Sequence, residues 1–197
     1  MIGLKAEGKV YAVIHFDEKI HLQNNMMLPE FDNLIDFCKY IKMPPPLDED
    51  FDVRKIEDMK DFCAELDMKP FRHRFYAISL YLKGDGVMNT GFWKRKLDKP
   101  ALFFKTPYQV MSWQISPGML KEYFILFTEK FLLKHKQLSA VIFDFPFLQL
   151  DRAIPFEIEK KDTELLANTY TKILEEYHSD NKDRFEMISA YVYTLLL

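Results

Sequence analysis

The chain has only two cysteines among 197 residues, and it has no long apolar run. Cys38 and Cys63 lie in amphipathic segments without a pairing pattern, which is typical of reduced core thiols in a cytoplasmic protein. No segment reaches the roughly 18 apolar residues that a membrane-spanning helix needs. The N-terminal sequence does not place an apolar run after a basic patch, as a signal peptide would. We therefore expect a cytoplasmic protein that has no membrane partner.

Glycine is also scarce, and the six glycines do not cluster. A phosphate-binding loop needs clustered glycines at the start of a helix. Here Gly84 and Gly86 lie between two strand-like segments, so we interpret KGDG as a hairpin turn. The Gly-x-Ser-x-Gly pattern of a nucleophile elbow is missing, and neither cysteine lies near a histidine in a recognisable pattern. The sequence therefore offers no support for phosphate binding or nucleophilic catalysis.

Metal-ligand spacing is missing as well. No two of the five histidines have the spacing His-x-His or His-x-x-x-His, and there is no Cys-x-x-Cys. A metal site needs several donors that converge on one ion. Histidines that are distant in sequence can still converge in a fold, but the spacing leads us to expect no metal and no other cofactor.

An excess of positive charge is absent too, since the formal net charge is −3. This balance argues against nucleic-acid binding over a broad surface. The basic run from Phe92 to Lys99 mixes aromatic residues with charge. We interpret this run as a solvated strand with alternating faces, and nucleic-acid contact is the alternative that we favour less.

Hydrophobic and aromatic residues are abundant, at 48% and 15% of the chain, which is enough for a packed core. The eighteen phenylalanines favour an interior that is rich in strands. Between Asp52 and Phe147, short apolar runs alternate with breaks that contain Gly, Pro and Asp. This spacing predicts an antiparallel sandwich or barrel. An earlier run, from Lys9 to Phe16, predicts one more strand.

Helical periodicity occurs on both sides of these strands. Before them, we predict a helix after a possible cap at Asp32, which ends before PPPLDED because proline removes a hydrogen-bond donor. After Pro155 we predict two more helices, the first with Asp162 as its N-cap. The apolar stripes of the three helices are Leu34, Phe37, Cys38 and Ile41; Leu166, Tyr170, Ile173, Leu174 and Tyr177; and Phe185, Ile188, Tyr191, Val192 and Leu195.

The last helix has apolar residues on its other faces too, namely Met187, Tyr193, Leu196 and Leu197. A helix that is apolar all round is buried on more than one side. A second copy of the same helix is the simplest cover for the further side, so we expect a homodimer through the C-terminal helices. No Gly, Lys or Arg closes this helix, from which we expect that the sequence was cut inside a longer protein.

Three strand segments and the helices after them occur in a familiar order. The segments are MKPFRHRFYAISLYLKGDGV, ALFFKTPYQVMSWQI and EYFILFTEKFL, and the helices follow from Ile154 onward. This order resembles the N-terminal sensor domain of AraC-type transcription regulators, and the resemblance covers about Asp32 to Leu197. It implies a mainly β fold with α: a cupin-like antiparallel β-barrel, or jelly roll, followed by C-terminal helices.

The resemblance also implies a division of the chain. An N-terminal strand and helix would occupy residues 1–50, the barrel 51–155, and a helical dimerisation segment 156–197. In such regulators the barrel senses a small-molecule effector, and DNA is bound only by a helix-turn-helix domain that comes after the helices. That domain would lie beyond Leu197.

His73 can be interpreted through the same resemblance. Metal-binding cupins carry His-x-His-x-x-x-Glu on one strand and a further His on a later strand. Those positions fall here on Phe71, His73, Ala77 and Met111, so three of the four donors are replaced. His73 is then either a polar group in a mostly apolar ligand pocket or a hydrogen-bonded core histidine.

The pocket itself follows from strand geometry and the cupin likeness together. Side chains two residues apart on a strand face the same way. If the cupin likeness holds, one such face and a later strand line the cavity, with His73 and Trp113 close together across the interior. The expected ligand-binding residues are Phe71, His73, Phe75, Ala77, Met111 and Trp113.

Three functions are compatible with the sequence. The leading hypothesis is an effector-binding and dimerisation domain of a transcription regulator, which performs no chemistry. The second is a metal-dependent cupin enzyme, such as an isomerase or dioxygenase. The third is a purely structural dimerisation module whose barrel is filled by its own side chains.

Overall fold

The computed structural model describes residues 28–59, 67–116, 120–150, 153 and 155–197. The strand predicted at Lys9–Phe16 and the second cysteine, Cys63, lie outside these residues. The described elements are β1 (Glu30–Phe31), α1 (Leu34–Tyr40), β2 (Phe51–Lys55), a 3₁₀ turn (Ile56–Asp58), β3 (Asp67–His73), β4 (Tyr76–Lys83), β5 (Gly86–Thr90), β6 (Trp93–Lys96), β7 (Ala101–Lys105), β8 (Met111–Ile115), β9 (Lys121–Phe127), α2 (Glu129–Lys134), α3 (Lys136–Asp144), a 3₁₀ turn (Pro146–Leu148), β10 (Phe156–Glu157), α4 (Lys160–Tyr177) and α5 (Arg184–Leu196).

The ten described strands form two five-stranded sheets. Sheet 1 has the order β1-β3-β8-β5-β6, and sheet 2 has the order β10-β7-β4-β9-β2. β1 pairs with β3 in parallel, and every other pair of described strands is antiparallel. The mainly β fold with C-terminal helices is thus confirmed. The expected closed barrel is not found among the described strands, because each sheet ends in an edge strand.

The KGDG segment does not form the hairpin turn that we predicted. β4 before it belongs to sheet 2 and β5 after it belongs to sheet 1, so the segment connects the two sheets. Turn residues mark where a strand stops but do not decide which strand it pairs with. Gly86 is needed for close packing instead, since a Cβ there would lie 2.2 Å from the carbonyl oxygen of Gln114. A hairpin does form at Gly91, between β5 and β6, where φ is +59°.

A bend at Arg74 and Phe75 divides the segment that we expected to be one strand. His73 ends β3 in sheet 1, and Ala77 lies near the start of β4 in sheet 2. The prediction that Phe71 and Ala77 share one strand face is therefore wrong. Alternation of side chains holds only while the backbone stays extended, and no turn residue marks the bend in the sequence. The bend places His73 where the chain crosses between the sheets.

Helices α4 and α5 cover the outer face of sheet 2, and their apolar stripes were predicted from the sequence. The hydroxyl of Tyr170 donates a hydrogen bond of 3.0 Å to the carbonyl of Ile78 on the central strand. Leu166, Leu174, Phe185 and Tyr191 pack at the margin of this core. The fully or almost fully buried residues that α4 and α5 contribute to this core are Tyr170, Ile173, Tyr177, Ile188, Val192, Leu195 and Leu196.

Two details of the helices differ from the prediction. Asn33, not Asp32, caps α1, since its side chain accepts a hydrogen bond of 2.8 Å from the amide of Asp36. α4 begins at Lys160, so Asp162 lies in its first turn. Helices α2 and α3 were not predicted at all. None of the helices in the described ranges is long and apolar enough to cross a membrane.

The hydroxyl of Tyr177 connects α4 by hydrogen bonds to the segment before β2 and to the first residue of β2. It accepts a hydrogen bond of 2.7 Å from the amide of Leu47, and it donates one of 3.1 Å to the carbonyl of Phe51. The amide of Asp48 lies 3.3 Å from the same oxygen. One side chain thus satisfies several backbone groups at the junction of helix and sheet.

We predict that Leu195→Glu strongly destabilises the protein whereas Leu133→Glu does not. Leu195 is 7% exposed in the core of α4, α5 and sheet 2, so a carboxylate there would lose its hydration without gaining a partner. We expect a loss of about 3–5 kcal/mol in the free energy of unfolding. Leu133 on α2 is 68% exposed and serves as the control, with a change within about 0.5 kcal/mol. Urea denaturation measures both, and similar losses for the two variants would contradict this packing.

Candidate functional site

A cavity of about 50 Å³ lies between the two sheets. Its wall is mostly apolar, with side chains from α1, β5, β8 and β9, among them Phe37, Met88 and Leu126. Four polar side chains also line it: His73, Ser79, Lys105 and Glu122. A mostly apolar cavity with a few converging polar groups is the usual composition of a small-molecule binding site.

Three of these polar groups form a chain across sheet 2. Ser79 lies on the central strand, Lys105 on β7 and Glu122 on β9. The Nζ of Lys105 donates a hydrogen bond of 2.8 Å to the Oγ of Ser79. The hydroxyl of Ser79 also acts on the Glu122 carboxyl, whose pKa it lowers. The serine therefore lies between a buried amine and a buried acid.

Strand register explains why these three side chains meet. Ser79 pairs with Phe103 on β7 and with Phe124 on β9. Lys105 and Glu122 each lie two residues from these partners, on the same face of their strands. The two charged residues are thus diagonal neighbours of Ser79 on the same face of sheet 2. Diagonal neighbours in a sheet are about 7–8 Å apart, within reach of long side chains.

Burial shifts the pKa values of both charged groups toward their neutral forms. Lys105 is 7% exposed and Glu122 is 6% exposed. Loss of hydration lowers the pKa of the Lys105 amine, and the nearby Glu122 acts in the opposite direction. Loss of hydration likewise raises the pKa of the Glu122 carboxyl, against the effects of Lys105 and Ser79. The pair has a net charge of zero whether or not the proton has moved from the amine to the acid.

His73 is the fourth polar group, and it is almost fully buried, at 1% exposure. Its ring stacks on Phe75, with 4.2 Å between centroids and an interplanar angle of 8°. Neither Nδ1 nor Nε2 has a hydrogen-bond partner at acceptable geometry among the described residues. Burial, assisted by the charge of Lys105, lowers the pKa of His73 from 6.5 to about 3. The imidazole is therefore neutral at physiological pH, with one donor and one acceptor unsatisfied.

The structure brings four of the six predicted site residues to the cavity wall: His73, Ala77, Met111 and Trp113. Phe71 and Phe75 do not line the cavity. Both are fully buried beside the His73 ring, with centroids 6.4 and 4.2 Å from it. Binding of a ligand by any of the six remains a prediction.

We had expected His73 and Trp113 to face each other across the interior, but the structure does not place them so. They belong to β3 and β8, which are adjacent strands of sheet 1. The ring of Phe71 contacts both, and it meets the Trp113 ring edge-on at 5.4 Å. The groups that face His73 from sheet 2 are Lys105, Ser79 and Glu122, none of which was among the predicted site residues.

The sequence held only a weak signal for the missed residues. Ser79 is the one polar residue inside the apolar run YAISLYL, and it is fully buried. Lys105 and Glu122 lie at or near the ends of strands, where charged residues are usually solvated. Only the pairing of three strands that are distant in sequence brings them together.

Metal ligands do not converge in the described part of the chain. No group of three or more His, Cys, Asp or Glu side chains is placed there to hold an ion. Of the cupin metal positions that the resemblance implied, only His73 carries a donor side chain.

No protein-family model matches the chain, and no curated protein sequence is significantly similar to it.

We predict that His73→Phe flattens the dependence of stability on pH under acidic conditions. Because the folded-state pKa is lowered, the stability that neutral His73 contributes is present above pH 6.5 and is lost as the pH falls toward 3. Between about pH 7 and pH 5 this group alone removes about 2 kcal/mol from the free energy of unfolding. Phenylalanine keeps a stacked ring and cannot be protonated.

Urea denaturation at the two pH values measures this difference within each variant. The absolute stability of His73→Phe therefore does not affect the comparison. His178→Phe is the control, because His178 is solvent-exposed after α4. Equal acid sensitivity in the wild type and His73→Phe would show that His73 is hydrated and ionises freely in the folded state.

Proposed function

We propose that the chain is the effector-sensing and dimerisation domain of an AraC-type transcription regulator, with a cupin-like jelly-roll arrangement of its strands. The observation that carries the proposal is the cavity between the sheets, which combines apolar walls with buried polar groups. A small molecule bound there would contact both sheets. Binding would then favour one arrangement of the sheets and helices over another.

The position of the helices supports this proposal. α4 packs against the outer face of sheet 2, and Tyr170 hydrogen-bonds Ile78 on the central strand. Ser79, next to Ile78, lies on the opposite face in the cavity wall. A shift of this strand on ligand binding would thus be transmitted directly to α4. DNA would be bound by a helix-turn-helix domain elsewhere in the full-length protein.

Dimerisation through the C-terminal helices is part of the proposal, but on a narrower surface than the sequence indicated. Leu195 and Leu196 are buried within the chain, so they cannot pair with a second copy. The apolar residues that these helices expose are Leu165, Met187 and Leu197, at 67%, 40% and 80%. We place the dimer contact on this remaining surface.

A reporter assay tests the dimerisation on which this function depends. The chain is fused to a heterologous helix-turn-helix domain that binds paired half-sites only as a dimer. We expect repression by the wild-type fusion and a loss of about tenfold or more with Leu165→Glu, because a charge would enter the contact. Leu133→Glu is a matched control, since Leu133 on α2 is 68% exposed. Repression no better than that of the DNA-binding domain alone would contradict dimerisation.

A metal-dependent cupin enzyme is the alternative function, and metal analysis separates it from the sensor. An isomerase or dioxygenase of this kind would need a bound ion to polarise its substrate. We expect elemental analysis of the purified protein to find less than about one tenth of an ion per chain. Stoichiometric iron, manganese, zinc or nickel would overturn the sensor proposal in favour of the enzyme.

The third hypothesis, an interior filled entirely by side chains, is less compatible with the cavity. A space of about 50 Å³ exceeds what one water molecule requires. Buried polar groups around that space would also be an unusual way to build a purely structural core.

A further inference from the structure

The charges in the cavity wall are balanced before any ligand binds. Lys105 hydrogen-bonds Ser79 and interacts electrostatically with Glu122, and the charges of Lys105 and Glu122 cancel. Apart from the neutral His73, no other ionisable side chain of the described residues lines the cavity. A ligand with a net charge would lose its hydration and would have to take Lys105 or Glu122 away from the other. The wall therefore favours an uncharged ligand.

His73 is the polar group that is left without a partner. Its two ring nitrogens are buried and unsatisfied among the described residues, and the ring is fixed by stacking on Phe75. A buried polar group of this kind is costly unless a ligand or an ordered water completes its hydrogen bonds. A hydroxyl group can serve either nitrogen, because it both donates and accepts.

The size of the cavity limits the rest of the ligand. Its volume of about 50 Å³ is smaller than the roughly 150 Å³ of an apolar cavity that holds benzene. Met88 and Met111 line the wall, and methionine side chains adapt readily to the shape of a ligand. Either ligand would need the wall to move, and a short, flexible aliphatic chain can follow such a movement better than a rigid ring can.

We propose that the cavity binds a small, uncharged aliphatic molecule whose hydroxyl group hydrogen-bonds His73. This inference rests on the proposed effector-sensing function and specifies the chemical class of the effector. Its carbon chain would lie against the apolar wall, and the Lys105–Ser79–Glu122 chain would stay intact.

The intrinsic fluorescence of Trp113 offers a direct measurement. The chain has two tryptophans, and Trp93 lies on β6 while Trp113 lines the cavity. The variant Trp93→Phe leaves Trp113 as the only reporter. It is titrated with 1-butanol, butyrate, butylammonium and methyl propyl ether, which share a similar size. The two charged probes test charge balance, and the ether is an isomer of butanol that lacks the hydrogen-bond donor.

We expect a saturable change with 1-butanol in the millimolar range, and binding at least about tenfold weaker for the other three probes. Butyrate or butylammonium binding as tightly as butanol would overturn the inference that the ligand is uncharged. Equal binding of the ether would overturn the role of the hydroxyl. No saturable change with any probe would overturn the proposal as a whole, and would indicate a cavity that holds only water.

A second variant locates the bound hydroxyl. In the Trp93→Phe background, His73→Phe keeps an aromatic ring beside Phe75 but removes both nitrogens. We expect it to weaken butanol binding about tenfold and ether binding by less, because the ether oxygen can only accept a hydrogen bond from the ring. Unchanged butanol binding would overturn the assignment to His73. If this variant does not fold, the comparison of the four probes still decides the ligand class.

The outcome is independent of the test for the proposed function. Dimer-dependent repression by the reporter fusion involves neither butanol nor His73. A fusion that represses while butanol fails to bind would refute the ligand class alone. A chain that binds butanol but does not dimerise would refute the regulatory function and would leave the ligand site in place.

Discussion

The central strand of sheet 2, Tyr76–Lys83, is buried on both faces, and the rest of the fold follows from that constraint. A strand between two antiparallel neighbours has no edge to hydrate, so each face needs its own cover. Tyr76, Ile78 and Leu80 point toward α4 and α5, whereas Ala77 and Tyr81 point toward sheet 1. Both the helical layer and sheet 1 are therefore required, and the cavity is the place where packing between the two sheets is incomplete.

The two faces of this strand are stabilised in different ways. The helix face is apolar, and its buried tyrosine hydroxyls hydrogen-bond backbone carbonyls, as Tyr170 does with Ile78. The cavity face contains the Lys105–Ser79–Glu122 chain. A buried ion pair seldom adds net stability compared with apolar residues of similar volume, because both groups lose hydration. Lys105 and Glu122 are thus better explained by the exclusion of charged ligands from the cavity than by a contribution to the stability of the fold.

Much of the local structure could be predicted from the sequence, but the pairing of strands could not. Most of the strands between Phe51 and Phe127 and the stripes of α1, α4 and α5 follow from periodicity and breaks, which are local. The connection at KGDG and the bend at Phe75 depend on which sheet the next strand joins, and that is set by packing over long distances. The site was predicted only in part, because strand pairing also decides which side chains meet. His73, Ala77, Met111 and Trp113 belong to segments that were recognisable as strands. Lys105 and Glu122 come together only because their strands flank the strand of Ser79.

The bend at Arg74 and Phe75, which could not be predicted from the sequence, also determines the position of His73. Had the chain continued straight from His73 to Ala77, both residues would have belonged to one sheet and faced the same neighbours. The change of sheet instead leaves the imidazole on sheet 1, opposite the balanced charges of sheet 2. One wall then offers an unsatisfied neutral group, and the other offers charges that already satisfy each other. This asymmetry between the walls, rather than the volume of the cavity, is what would distinguish an alcohol from an acid or an amine of the same length.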